Sequence, residues 1–167
     1  TIYDIDLNVG YYARVSTDKD DQLNSLENQS NYFREMIGEN KKWNLIGEYI
    51  DEGISGTSVK NRDNFLRMVE DSKQGKLDLI VTKEISRFSR NVVDSIKYTE
   101  ELLNNGTVVF FISDNINTIY PDSEFRLALM SSLAQDEVRK LSERVKFGIK
   151  RMIKDGKIIG GNFFVII

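Results

Sequence analysis

The stretch VGYYARVSTDKDDQ, residues 9–22, joins an apolar run to a polar one. Its first seven residues are rich in aromatic and β-branched side chains and predict a strand, whereas the serine, threonine and aspartates that follow are typical of a loop or a helix start. Three later runs share the composition of this strand: WNLIGEYI (43–50), LDLIVT (77–82) and TVVFFIS (107–113).

Helical patterns lie between these four strands. They cover roughly residues 23–38, 63–73 and 92–104, and Gly106 follows the last of them as an expected C-terminal cap. Regular alternation of strands and helices predicts an α/β fold with a mostly parallel central sheet of about four to five strands, flanked by helices.

The last third of the chain has the pattern of one long helix. Its apolar residues recur every three or four positions, at Ala134, Val138, Leu141, Val145, Ile149 and Met152. We expect this helix to cover residues 122–157 and to project from an α/β body formed by residues 1–121. Its apolar stripe then requires a partner.

Charge is distributed unevenly along the chain. Residues 139–157 contain eight basic and two acidic side chains, whereas the remainder contains 15 basic and 24 acidic ones. An acidic body with a basic arm suits a polyanionic partner such as nucleic acid, although a solvated helix face has the same pattern.

Composition excludes several kinds of site. The 167 residues suit one compact domain and include no cysteine and no histidine, which excludes disulfides, thiolate zinc sites and the commonest general base. The sequence also lacks a P-loop, a dinucleotide-binding GxGxxG after a strand and a GxSxG motif. Neither a signal peptide nor a membrane-spanning apolar run is visible, so we expect a cytoplasmic protein.

Arginines and serines gather in the segments that follow the predicted strands. In parallel sheets these segments share one edge, where ligands bind. Arginine matches phosphate with a planar fork of donors and stabilises phosphoryl transfer without a metal. The residues that this predicts near one phosphate are Arg14, Ser16, Arg62, Arg87 and Arg90.

Ser16 is the first candidate for a nucleophile in such a site. A serine at this position is equally suited to cap a helix. The same set of loops also holds Ser55, Ser58, Ser86 and Ser89, so position alone does not single out Ser16.

Four motifs together resemble the catalytic domain of the serine recombinases, the resolvase/invertase superfamily. They are YYARVSTD, DEGISGT, ISRFSRN and LAQDEVRKLSERVKFGIK, and the resemblance extends over residues 9–161. The stretches GENKKWNLIGEYIDEGISGTSVKNRDNF and KDGKIIGGN are most similar to large serine integrases and conjugative-transposon recombinases. In that branch larger DNA-binding domains follow, so the resemblance implies that residues 158–167 begin a linker to such domains.

The resemblance implies a role for each residue that matches a family motif. Ser16 is the nucleophile, Arg14, Arg62, Arg87 and Arg90 are catalytic arginines, and Gln29, Ser55, Glu143 and Arg144 are supporting residues. One position departs from the family pattern: Ser86 stands where many members have an aspartate that orients an arginine or helps to move a proton.

The resemblance also implies a site-specific recombinase that cuts and rejoins double-stranded DNA through a 5′-phosphoserine, without metal, ATP or other cofactor. A homodimer, forming a tetramer at synapsis, would integrate or excise a mobile element in a bacterial cytoplasm, at the nucleoid when bound to DNA. The long helix would provide the dimer contact, and its basic end would contact DNA through Lys146, Lys150, Arg151, Lys154 and Lys157.

Two alternatives come from other functional classes. One is a catalytically inactive DNA-binding or assembly module of the same fold, favoured by the departure at Ser86. The other is a metal-dependent signalling domain of flavodoxin-like shape, which would use Asp18, Asp20, Asp21 and Asp51.

Overall fold

The computed structural model describes residues 1–16, 22–53, 62–89 and 92–154. Its strands are β1 (Leu7–Ser16), β2 (Trp43–Gly53), β3 (Leu79–Thr82), β4 (Val108–Phe111) and β5 (Ile116–Asn117). Its helices are α1 (Gln22–Gly38), α2 (Asp63–Lys73), α3 (Ile85–Phe88), α4 (Val92–Asn104) and α5 (Ser123–Lys154). The chain divides into two compact units, Thr1–Ser131 and Ser132–Ile167.

The first unit contains a five-stranded sheet in the order β2-β1-β3-β4-β5. The first four strands are parallel, and β5 is antiparallel to β4. The predicted α/β class and mostly parallel sheet are therefore confirmed. The short elements α3 and β5 were not predicted.

Strand β1 is buried on both faces, which explains its continuous apolar run. Tyr11 packs with Phe33 of α1 on one face, where their rings stack with centroids 4.8 Å apart. Tyr12 packs on the opposite face against Phe65 of α2. Successive residues of a strand alternate between faces, so β1 contributes to both hydrophobic cores.

A glycine follows both α2 and α4, and the one after α4, Gly106, is the predicted C-terminal cap. Gly106 has a φ of +83°, and Gly75, after α2, has a φ of +69°. After α4, the N–H of Gly106 donates to Leu103 O and that of Thr107 donates to Leu102 O, both at 2.9 Å. These two bonds form a Schellman motif, and glycine at the left-handed position avoids the steric cost of a side chain.

The order of the strands creates a switch point beside β1. The chain passes from β1 to β2 on one side and then crosses to β3 on the other. A crevice therefore opens between the carboxyl ends of β1 and β3, the place where open α/β sheets bind ligands.

Helix α5 is continuous over 32 residues. The predicted long helix is confirmed from Ser123 to Lys154, and the predicted end at residue 157 lies outside the described residues. The predicted boundary at residue 121 and the linker at 158–167 stay predictions. None of the helices within the described ranges has the length and apolar content required to cross a bilayer.

Candidate active site

Arg14 links the carboxyl ends of β1 and β3. It is half-buried, and its Nη2 donates a hydrogen bond to the carbonyl oxygen of Ser86 at 3.1 Å. Ser16, two residues later, is the last residue of β1 and is paired with Gly53 of β2. The hydrogen bond of Arg14 thus crosses the switch point to α3.

Arg62 binds the last residue of α3. It precedes α2, and its Nη2 donates to the carbonyl oxygen of Phe88, the last residue of α3. The centre of its guanidinium lies 3.6 Å from the centroid of the Phe65 ring, a close cation–π contact. The aromatic face and the backbone carbonyl together hold this half-buried arginine in place.

Arg87 lies on α3 between these two contacts. Its side chain is about half exposed, and its Nε is 3.2 Å from Oε1 of Glu84. Arg14 binds the carbonyl before it and Arg62 binds the carbonyl after it. The structure therefore brings three of the four predicted catalytic arginines together around one four-residue helix.

The remaining predicted residues divide into three groups. Arg90, Ser55 and Lys157 lie outside the described residues, and Ser16, Lys150, Arg151 and Lys154 are described by their backbone alone. Gln29 is half-buried in α1. Glu143, Arg144 and Lys146 are exposed on α5, within the second unit.

Asp51, at the end of β2, supports the site in a way that sequence reasoning missed. It is buried, and its two carboxylate oxygens accept the backbone N–H groups of Asn64 and Phe65, each at 3.0 Å. Arg62, the N-cap residue, makes no side-chain cap bond within the described part of the chain. Asp51 therefore caps α2 from a neighbouring strand and fixes the backbone next to Arg62.

Tyr12 joins this network from β1. Its hydroxyl donates to Oδ2 of Asp51 at 3.1 Å and lies 3.5 Å from Nη2 of Arg62. Burial raises the pKa of Tyr12 above its ordinary value, against the opposing effect of Arg62. The phenol therefore stays protonated and available as a donor.

The contacts of Asp51 also bear on the metal-dependent alternative. Both of its oxygens already accept hydrogen bonds from α2, and the described residues contain no group of three or more acidic side chains able to hold a metal. Asp18, Asp20 and Asp21 lie outside the described residues. Asp51 is therefore better explained as a helix cap than as a metal ligand.

A second aspartate caps α3. Oδ2 of Asp114, which follows β4, accepts the backbone N–H of Ile85 at 2.8 Å. Burial raises the pKa of Asp114, the Ile85 hydrogen bond opposes this rise, and the nearby charge of Glu84 adds to it. The N-termini of α2, beside Arg62, and of α3, which carries Arg87, are thus each capped by an aspartate at the end of another strand.

Such an arrangement can bind and stabilise a phosphate group. Guanidinium groups stay protonated at any ordinary pH and present paired donors to phosphate oxygens. Donors that are held in place before the reaction stabilise the charge that develops in a phosphoryl transition state.

Comparison with known proteins matches most of this chain to one family. The family model described as "Resolvase, N terminal domain" matches residues 9–158. The Tn3 transposon resolvase of Escherichia coli is 30% identical over 137 residues, which cover 82% of this chain and 67% of the resolvase. A putative DNA recombinase of Bacillus subtilis (strain 168) is 24% identical over 152 residues, and the match covers 90% of this chain but 29% of that protein.

Two solved structures share the fold. One is a resolvase family site-specific recombinase from Streptococcus pneumoniae, with 27% identity, a TM-score of 0.64 and coverage of 87% of this chain and 99% of that chain. The other is the N-terminal catalytic domain of TP901-1 integrase, with 25% identity, a TM-score of 0.53 and coverage of 80% of this chain and 98% of that chain.

Proposed function

Since this chain belongs to the resolvase N-terminal domain family of site-specific recombinases, we propose that it cleaves and rejoins DNA through a phosphoserine at Ser16. The four motifs shared with the serine recombinases lie within the matched residues 9–158. The chain spans 29% of the Bacillus subtilis relative, so the activity and partners of the whole protein form part of this proposal.

In the proposed reaction, Ser16 is the nucleophile, although the chain has no histidine to activate it. Its Oγ forms a bond to phosphorus and gives up its proton. The bond from phosphorus to the 3′ oxygen breaks, and that oxygen takes up a proton to become a 3′ hydroxyl. The 5′ phosphate stays on the serine, so the bond energy is conserved and rejoining needs no ATP. Arginines, rather than a metal, stabilise the developing charge.

One observation supports this proposal above the others. Arg14 and Arg62 bind the carbonyl groups on either side of Arg87, so three guanidinium groups come from three different parts of the chain to the edge where β1 ends. An anionic ligand such as a phosphodiester would offset the repulsion among three cations at this edge.

The partners we propose are double-stranded DNA and further copies of this chain. Exposed Leu141 and Val145 on α5 provide apolar surface for a dimer contact, and exposed Arg144 and Lys146 provide charge for DNA. A tetramer at synapsis, acting on the ends of a mobile element, would complete the reaction.

The experiment that tests the chemistry traps the covalent intermediate. The full-length protein is mixed with end-labelled duplexes tiled across the DNA that flanks its own gene, with chelator present, and the products are separated under denaturing conditions. We expect a protein–DNA adduct whose linked peptide contains Ser16, and Ser16→Ala should abolish it while DNA binding persists. An adduct of normal yield in Ser16→Ala would contradict the assignment.

The same experiment decides on the inactive-module alternative, which Ser86 favours. Specific DNA binding without any adduct, on DNA that carries the element ends, would support that module. Adduct formation that requires Mg²⁺ would instead overturn the metal-independent mechanism.

A separate pair of variants tests the proposed role of α5. Leu141→Asp places a charge in the dimer contact, where an unpaired buried charge is costly, so sedimentation should show a shift toward monomer. Changing Lys150, Arg151 and Lys154 together to Gln should leave association unchanged and lower the slope of log affinity against log salt by about 0.9 per lost phosphate contact. Normal association of the first variant with a full salt slope of the second would rule out both roles.

A further inference from the structure

Glu84 makes two hydrogen bonds that the roles assigned so far do not explain. Its Oε1 accepts the hydroxyl of Ser86 at 2.7 Å and Nε of Arg87 at 3.2 Å. One carboxylate oxygen therefore serves two successive side chains of α3.

Helix capping does not account for this carboxylate. Glu84 occupies the N-cap position of α3 with an extended backbone, where an acidic side chain usually accepts a backbone N–H of the first turn. Within the described residues it makes no such bond, and Asp114 accepts the N–H of Ile85 instead.

Stability does not account for it either. The side chains of Glu84 and Arg87 are 35% and 47% exposed. An ion pair this open to water is screened and adds little to folding. What the pair can do is restrict the orientation of Arg87.

Glu84 also acts on a second arginine. Ser86, whose hydroxyl it accepts, offers its carbonyl oxygen to Nη2 of Arg14 at 3.1 Å. A carboxylate that holds the Ser86 side chain therefore helps to hold the peptide group that Arg14 binds.

We infer that Glu84 is a positioning residue for the arginines of this site. Binding through Nε leaves both Nη groups of Arg87 as the fork for a phosphate, and holding Ser86 keeps the acceptor of Arg14 in place. The inference rests on the proposed function and deepens it: the carboxylate absent at position 86 is supplied by residue 84.

The variant that tests the inference is Glu84→Ala, with Glu101→Gln as its matched control. Glu101 pairs with Lys73 at 2.9 Å, and those side chains are 31% and 47% exposed, so the control removes an ion pair of the same exposure between α2 and α4. At saturating DNA, Glu84→Ala should slow adduct formation by roughly 10- to 100-fold, because small misplacements of a reacting group have effects of this order. Its DNA affinity, and the rate of Glu101→Gln, should stay within about twofold of wild type.

A double-mutant cycle separates positioning from general damage. If Glu84 acts through Arg87, the Glu84→Ala change should slow adduct formation far less in an Arg87→Lys background than in wild type. Equal slowing in both backgrounds, or a normal rate for Glu84→Ala alone, would overturn the inference.

A measurement without DNA keeps this test distinct from that of the proposed function. Phenylglyoxal labelling of the full-length protein, mapped by mass spectrometry, should increase at Arg87 in Glu84→Ala and stay constant at Arg139, which pairs with Asp136. Unchanged labelling at Arg87 would overturn the inference even if the wild-type protein forms the adduct. Increased labelling in a protein that forms no adduct would support the positioning contact while the proposed function fails.

Discussion

The two edges of the central sheet are held together by different kinds of contact. At the amino edge, Lys42, just before β2, and Trp43, the first residue of β2, donate to backbone carbonyls near the N-terminus: Trp43 Nε1 to Ile2 O at 2.9 Å and Lys42 Nζ to Asp4 O at 2.7 Å. At the carboxyl edge, the Tyr12 hydroxyl contacts both the buried carboxylate of Asp51 and the guanidinium of Arg62. The contacts at the amino edge serve the backbone alone, whereas those at the carboxyl edge also hold a buried carboxylate and a half-buried guanidinium. Burying charge is costly unless it is hydrogen-bonded, and such costs are typical of functional sites.

The largest effect that would sharpen this comparison is expected at Asp51. Asp51→Asn places an NH₂ group opposite at least one donor, because both carboxylate oxygens accept N–H groups and Oδ2 also accepts the Tyr12 hydroxyl. An unsatisfied buried group costs about 1–3 kcal/mol. We also expect adduct formation to slow by up to roughly 10²-fold, because the backbone beside Arg62 shifts.

Trp43→Phe is the matched change at the amino edge. It removes the donor to Ile2 O and should also destabilise the fold by about 1–3 kcal/mol. Urea midpoints and single-turnover adduct rates measure both variants under conditions where each is folded. The comparison fails if Trp43→Phe slows adduct formation as much as Asp51→Asn does.

The elements that the sequence predicted well are those determined by nearby residues. The bounds of α2 and α4 match the prediction, and α4 ends at the local cap that the sequence predicted, Gly106. The strands were found from composition alone, because β1 and β3 are buried on both faces and read as apolar runs.

The missed features depend on contacts between distant parts of the chain. Helix α3 has four residues, too few for a periodic pattern, and the N–H of its first residue is bound by Asp114, which lies 29 residues further along. Asp51 caps α2 from a different strand, so the usual sign of a helix start is absent at Arg62. An aspartate that directly follows an apolar strand, ahead of a helix without its own cap residue, is the signal that would have indicated this contact.

The smallest effect that we expect is a change in the pH dependence of stability, at two aspartates near opposite edges of the sheet. Asp71, near the end of α2, accepts Lys76 Nζ at 2.8 Å and the Tyr49 hydroxyl at 2.7 Å. These hydrogen bonds, that of Lys76 above all, lower the pKa of Asp71 below its ordinary value of 3.8. Burial raises the pKa of Asp114 above the same ordinary value. The two shifts predict pH dependences of opposite sign.

Asp71→Asn and Asp114→Asn test this difference. With its pKa lowered by folding, Asp71 adds stability that is fully present above 3.8 and is lost as pH falls through its folded pKa. With its pKa raised by folding, Asp114 lowers the stability of the fold as pH rises from 3.8 through its folded pKa. The amide of the Asp114→Asn variant would keep an acceptor for Ile85 without the buried charge.

At neutral pH, Asp71→Asn should therefore lower the urea midpoint and Asp114→Asn should raise it. Both differences should shrink as the pH falls below 3.8, because the aspartates then approach the neutral form. A midpoint lowered by Asp114→Asn at neutral pH and unchanged in acid would mean that the charge itself stabilises α3, and that the carboxyl edge, like the amino edge, is arranged for stability.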